Sequence, residues 1–336
     1  MNTNRYTTYR FKTIALLTTI VTCSAISDYT FATDVSKESP AQLVGALHSA
    51  FGEHRARAVH AKGVILEGTF TPTLEGRNLS RALLFTNASV PVTVRFSDFT
   101  GIPDIPDTVG DANPRGFAVK FKLADGAGLD IVTHSFNGFP TATSDEFAQL
   151  LRAIGSSGPT ATKPTTLDRF LDSHPVAKTF LTTQKPAPAS FATLAYFGVN
   201  SFKFIDSANK STFVRYRFVP SAGEQFLDAQ ALKSKGPNYL SEEIAMRVAR
   251  APLSFDWFAQ ISAPGDVIDN PSIAWPESRK LVKLGTIRVE RMAPDAAATD
   301  KATLFLPGRV PTGIEAADPM IALRNAAYPI SFGARQ

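Results

Sequence analysis

Apolar and polar positions alternate along two long blocks of this chain, and helically spaced stretches lie before, between and after them. Val64-Ile65-Leu66 sits in an extended run from Lys62 to Pro72. From Val90 to Phe96, the residues Val90, Val92, Val94 and Phe96 alternate with Thr93 and Arg95, and Ser97 follows in phase. Period two marks a strand with one buried face, so Arg95 and Ser97 share the other face. Phe117 to Phe121 and Leu129 to Val132, joined by a turn at Asp125 to Gly128, read as the next two strands. The second block comprises Phe191 to Phe197, Ser201 to Ile205, Phe213 to Val219, Phe255 to Ser262 and Lys283 to Arg291.

Helical spacing appears at Leu43, Val44, Leu47 and Phe51 within Ser39 to Ala58, and at Phe147, Leu150, Leu151 and Ile154 behind a cap at Thr143 or Ser144. Leu167 to Phe180 and Ser241 to Arg250 read as further helices. At the end of the chain Asp318 and Pro319 open a helix that Pro329 closes, which sets Arg324 and Tyr328 one turn apart on one face. Eight or nine strands, with 25 phenylalanines to fill them, predict an α+β fold: an antiparallel barrel of about eight strands with helices around it. No repeat or featureless linker divides residues 33–336, so a single domain is expected there.

Composition changes this picture little. The chain has 336 residues, 44% of them hydrophobic, and a net charge of +5 that is scattered, with no run of five Lys or Arg; nucleic acid is not an expected partner. The amino terminus differs from the rest. Arg5, Arg10 and Lys12 precede an apolar stretch from Thr13 to Thr22, shorter than a membrane span, and Thr30-Phe31-Ala32 offers a small-residue cleavage site. Residues 1–32 therefore read as a signal peptide, and the mature protein as periplasmic or secreted without stable membrane insertion. Cleavage would remove three of the 35 bases and one of the 30 acids, lowering the net charge to +3. It would also remove Cys23, the only cysteine, which excludes disulfides, zinc-thiolate sites and cysteine nucleophiles.

Two residue pairs carry candidate chemistry. Arg57 and His60 lie three apart just ahead of a buried strand, and Arg324 and Tyr328 lie four apart near the other end. A permanent cation beside a phenol favours the phenolate, one of the few anionic protein ligands for ferric haem. Taken singly, each pair also has a structural explanation, a hydrogen-bonded histidine in one case and ordinary helix decoration in the other.

Their conjunction with the motifs between them resembles the haem catalase family. Val59-His60-Ala61-Lys62-Gly63 is similar to that family's distal histidine segment, Val94-Arg95-Phe96-Ser97 to its second barrel strand, and Asp111 to Phe121 to its Asp-Pro-Arg-Gly-Phe-Ala-Val-Lys-Phe signature with two residues inserted. Pro311-Thr312-Gly313-Ile314-Glu315 followed by Arg324 and Tyr328 resembles the proximal helix and its lead-in.

The resemblance implies a barrel enclosing haem b. Tyr328 would be the axial ligand, Arg324 its cationic partner, His60 the distal acid/base and Ser97 its hydrogen-bonding neighbour. Arg57 and Arg95 would meet the propionates, and Phe147 would pack near the haem plane.

Two departures stand out. Where the family has a distal asparagine this chain has His134, with Asn137 three residues later, and either could serve, or His134 could be a solvent-exposed loop residue. The chain also stops eight residues after Tyr328, which implies less covering and a wider approach for organic substrates. The expected function is a peroxidase that reduces hydrogen peroxide or organic hydroperoxides with an unidentified electron donor, as a monomer or dimer. A hydroperoxide isomerase and a non-catalytic haem-binding protein are the alternatives.

Overall fold

The computed structural model of the protein describes residues 36–123 and 126–336. In chain order the elements are α1 (Pro40–Phe51), β1 (Gly63–Pro72), α2 (Leu74–Leu79), β2 (Val90–Ser97), β3 (Gly116–Lys122), β4 (Gly128–His134), α3 (Ser144–Gly155), α4 (Thr166–Ser173), α5 (Pro175–Thr182), β5 (Tyr196–Ile205), β6 (Ser211–Pro220), α6 (Ala229–Lys233), α7 (Tyr239–Arg250), β7 (Leu253–Ile261), β8 (Leu281–Met292), α8 (Ala296–Ala302), β9 (Ile314–Ala316) and α9 (Met320–Gly333). Successive strands β1 to β8 pair antiparallel, β1 also pairs with β8, and a single pair, His134 with Phe197, closes β4 on β5. The result is an eight-stranded barrel, with β9 added alongside β5. The proposed signal peptide, and Asp125 of the β3–β4 turn, lie outside the described residues.

The period-two pattern sets the register. Val94 and Phe96 on β2, Phe117 and Val119 on β3, and Leu129 and Ile131 on β4 all enter the barrel core. Aromatic rings fill its axis: Phe96 stacks on Phe191 at 5.4 Å, and Phe117 meets Phe255 at 4.9 Å and Tyr196 at 5.0 Å. Each such pair contributes about 0.5–1.5 kcal/mol beyond the area it buries. A barrel packed this way has no room for a large cofactor inside, so the enclosure expected from sequence is made by the outward barrel face and the helices over it.

Four elements differ from their sequence readings. The first helix ends at Phe51, where Gly52 takes φ +85°, and an irregular segment carries the chain to β1. The segment Leu167 to Phe180 is two helices, broken at His174 because the residue before a proline is pushed out of helical geometry. Phe191 to Thr193 form a short 3-10 turn, and Tyr196 to Ile205 form one strand with a register shift between Gly198 and Phe202. Pro329 does not end α9, which continues to Gly333.

Candidate active site

A cavity lies between the outward face of β2, β3 and β4 and the helices α1, α3 and α9. Ser97, Ala118, Val132 and His134 form its barrel wall; Leu43, Leu47, Phe147 and Ala327 form much of its helical wall. Most of this lining is apolar, so the few polar groups that reach it stand out.

On one side is the segment ahead of β1. His60 adopts φ +57°, a left-handed conformation uncommon for a side chain of this size, and is held there by backbone bonds from His60 N to Phe99 O (2.8 Å) and Ala61 N to Thr100 O (2.9 Å). Its Nδ1 lies 2.8 Å from Asp98 O and 3.1 Å from Ser97 Oγ. A carbonyl oxygen only accepts, so Nδ1 carries the proton and Nε2 is left with its lone pair. Gly116 makes this packing possible, since a Cβ there would come 2.7 Å from His60 Nδ1 and strike Ser97 Oγ.

His134 has the complementary tautomer. Its Nδ1 accepts from Phe136 N at 3.4 Å, which places the proton on Nε2, and that atom is buried with no partner among the described residues. Burial pushes both imidazoles down to a pKa of about 3, with Arg95 and Arg324 opposing protonation of His60, and His60 and Arg324 opposing that of His134. The cavity therefore presents one basic nitrogen and one N–H, on two neutral rings.

The opposite side is built by α9. Arg324 Nη2 donates to Tyr328 Oη at 2.7 Å. Arg324 Nη1 donates to Asn200 Oδ1, Asn200 Nδ2 donates to Asp318 Oδ2 at 2.7 Å, and Asp318 Oδ1 accepts from Met320 N at 2.9 Å. The phenol is thus the end of a relay that starts at two buried residues, Asp318 and Asn200, and is anchored at the start of its own helix. Burial pushes the Asp318 carboxyl above its usual range even though Asn200 and the Met320 N–H bind it.

Cations cluster at one end of the cavity. Asp300 of α8 accepts from Arg95 Nε at 2.6 Å and from Arg57 Nη2 at 2.8 Å. Arg95 also donates to the carbonyls of His60 (2.9 Å) and Ala61 (3.0 Å), and a second time to Asp300 through Nη2 (3.1 Å), so its donors are divided between the distal segment and Asp300. Among the described residues Arg57 keeps Nε and Nη1 free of protein partners, and Arg335, which donates to Thr303 O through Nη2 at 2.7 Å, keeps Nη1 free. Burial lowers the pKa of Arg57 to about 9 and of Arg335 to about 10, leaving both charged at neutral pH. Burial alone would raise the Asp300 carboxyl, but Arg95 and Arg57 outweigh it and hold Asp300 ionised.

Of the residues singled out from sequence, His60, Ser97, His134, Arg57, Arg95, Phe147, Arg324 and Tyr328 all line this one cavity. Asn137 does not. Its Nδ2 donates to Glu277 Oε1 at 2.9 Å, outside the cavity. Sequence reasoning missed Asn200, Asp300, Asp318 as a relay member, Arg335 and Arg115. The last is fully buried and ion-pairs with Asp98, the residue whose carbonyl orients His60. Only Arg115 carried a signal, through its place in the Asn-Pro-Arg-Gly motif.

The family model described as Catalase matches residues 48–335. This chain belongs to the catalase family. A catalase-related peroxidase of Synechococcus elongatus is 33% identical over 334 residues, covering 97% of this chain and 96% of the relative. Another from Mycolicibacterium paratuberculosis is 35% identical over 298 residues, covering 87% and 93%. Catalase A of Saccharomyces cerevisiae superposes with a TM-score of 0.73 at 20% identity over 83% of this chain, which spans 61% of that catalase. Catalases are haem enzymes, and the cavity of this family member suits haem on its own evidence. It has apolar walls, an unpartnered N–H inside, a phenol backed by a guanidinium, and free guanidinium donors at one end for two carboxylates.

Proposed function

We propose that this chain is a haem b peroxidase that reduces hydrogen peroxide or organic hydroperoxides. The observation that carries the reading is the pairing, inside one apolar cavity, of a base and an N–H donor on neutral imidazoles with a phenol held by Arg324. The names and near-complete coverage of the two peroxidase relatives support it.

Tyr328 would ligate the iron through Oη, with Arg324 offsetting the charge of the phenolate. Arg57 and Arg335 would hold the propionates, and Phe147 would pack against the macrocycle. Bound haem supplies the ferric centre at which the peroxide O–O bond is cleaved and two oxidising equivalents are held.

The chain's residues handle the protons. His60 Nε2 takes the proton from the near peroxide oxygen and returns it to the far one, which leaves as water or alcohol. A pKa pushed down to about 3 keeps this base unprotonated at neutral pH and makes it give the proton up at once. His134 Nε2–H donates a hydrogen bond to the peroxide, the part a side-chain amide would otherwise play, and Asn137 is too far from the cavity to compete for it. The apolar walls keep bulk water from intercepting the transfer. Export to the periplasm or outside the cell belongs to this proposal and rests on residues 1–32 alone.

The test is to produce the protein with haem supplied, record the ferric spectrum of wild type and Tyr328→Phe, and follow donor oxidation, oxygen release and lipid-hydroperoxide products. The expected outcome is a haem spectrum altered in the variant and donor oxidation that exceeds oxygen release. A wild type without haem would end this reading; rearranged lipid products without donor oxidation would make it an isomerase.

A further inference from the structure

Arg57 and Arg335 line two cavities at once: the one described above and, on their far side, a surface cleft of about 860 Å³. The cleft runs between the start of β1, α8 and the end of the described chain. Four of its ionisable side chains are cations, Arg55, Arg57, Lys301 and Arg335, against one side-chain carboxylate, that of Asp300. That carboxylate faces the cleft but is already committed to Arg57 and Arg95. Arg55 and Lys301 are exposed, and neither side chain has a hydrogen bond or ion pair among the described residues. Arg55 and Lys301 are thus the unpaired cations of the cleft, and its floor is formed by the guanidiniums assigned to the propionates. Arg55 also holds φ +49°, a conformation that a long cationic side chain seldom adopts.

We propose that this cleft binds the electron donor, and that the donor is a small organic anion, for which an enediolate serves as the probe. The inference rests on the peroxidase reading. An anion in the basin would meet the outer side of Arg57 and Arg335, the two side chains that would hold the propionates, while His60 and His134 line the inner cavity only. The stoichiometry closes. Hydrogen peroxide takes two electrons and two protons to give two waters. One enediolate monoanion gives two electrons in successive single-electron steps and one proton, becoming a neutral diketone, and solvent supplies the second proton. Attraction between the basin and the donor falls as salt screens it, since exposed charges interact over about 8–10 Å at ordinary ionic strength.

The experiment uses the haem-loaded enzyme, ascorbate as the anionic probe, guaiacol as the neutral one, and the double variant Arg55→Asn with Lys301→Gln. Asparagine tolerates the left-handed backbone at position 55, and neither residue lines the haem cavity. Ascorbate binding to the resting ferric protein is read from paramagnetic broadening of its proton signals, which requires no turnover. In wild type ascorbate is expected to broaden. The double variant is expected to bind it about tenfold more weakly, with kcat/KM for ascorbate falling in step, while haem content, the ferric spectrum and guaiacol oxidation stay unchanged. If ascorbate is not broadened in wild type, or binds the double variant equally well, in a protein that does oxidise guaiacol, the donor site is overturned and the peroxidase reading stands. If wild type carries haem and oxidises neither probe, the peroxidase reading falls and takes the donor site with it.

Discussion

His60 and His134 are two imidazoles kept neutral by burial on the same side of one cavity, and that makes them a measurable liability in acid. The ordinary histidine pKa is about 6.5, and both are pushed down to about 3 in the folded protein. The unfolded chain therefore takes up protons first as the pH falls. Their contribution is fully present above about pH 6.5 and is lost as the pH drops from there toward 3, at about 1.4 kcal/mol per pH unit for each ring. Asp98 works the other way, because burial pushes its carboxyl up to about 7 against the pull of Arg115, so wild type alone gives a mixed slope. Comparison with His134→Gln isolates one ring. Urea denaturation of the haem-free protein at pH 7 and pH 5 should show wild type losing about 2 kcal/mol more than the variant over that interval. Equal losses in the two proteins would mean that His134 is not buried as a neutral ring.

At the scale of the element, α9 holds the proximal side of the site through the relay from Asp318 to Asn200, Arg324 and Tyr328. Asn200 is its weakest point, a buried amide on β5 between a buried carboxylate and a guanidinium. Replacing it with leucine strands both neighbours, and an unsatisfied buried polar group costs about 1–3 kcal/mol. Asn200→Leu should lower the unfolding free energy by about that amount and shift the ferric spectrum, because Arg324 is no longer held toward Tyr328. Unchanged stability together with an unchanged spectrum would show that the relay does not position the phenol. The same helix shows what the sequence could convey. Helical spacing placed Arg324 and Tyr328 together, and the strand alternation placed Arg95 and Ser97 on a shared outward face, because both are local periodicities. Asn200 was invisible, since it reaches the site through a register shift in β5 that no pattern announces. Asp300 sits on a short alanine-rich helix with no apolar stripe to orient it. Pro329 looked like a stop. In the fold α9 runs on because Ser331 Oγ accepts from Ala58 N at 3.1 Å and Arg335 anchors to Thr303 O, tertiary contacts that outweigh the lost backbone bond.

The described residues form two apolar cores of unequal size with the cavity between them. One is the aromatic filling of the barrel; the other is a small cluster of Leu43, Val44, Leu47, Ala58, Ala148, Leu151 and Ala327 that joins α1, α3 and α9. Without a ligand the helical layer has little apolar surface of its own to hold it closed, whereas a haem between the layers would touch both. The two cores should then open separately in the haem-free protein, because cooperative units follow contiguous packing. Hydrogen exchange should find the amides of α1, α3 and α9 less protected than those of β1 to β4 when haem is absent. A ligand at a hundred times its dissociation constant adds about 2.7 kcal/mol to every opening that must release it, so haem should slow exchange in those three helices by about a hundredfold. The innermost barrel amides gain that protection only if they exchange through global unfolding. Equal protection of helices and barrel before haem is added would show a single cooperative core, and the cavity would then be a slot preformed within it rather than the seam between two layers.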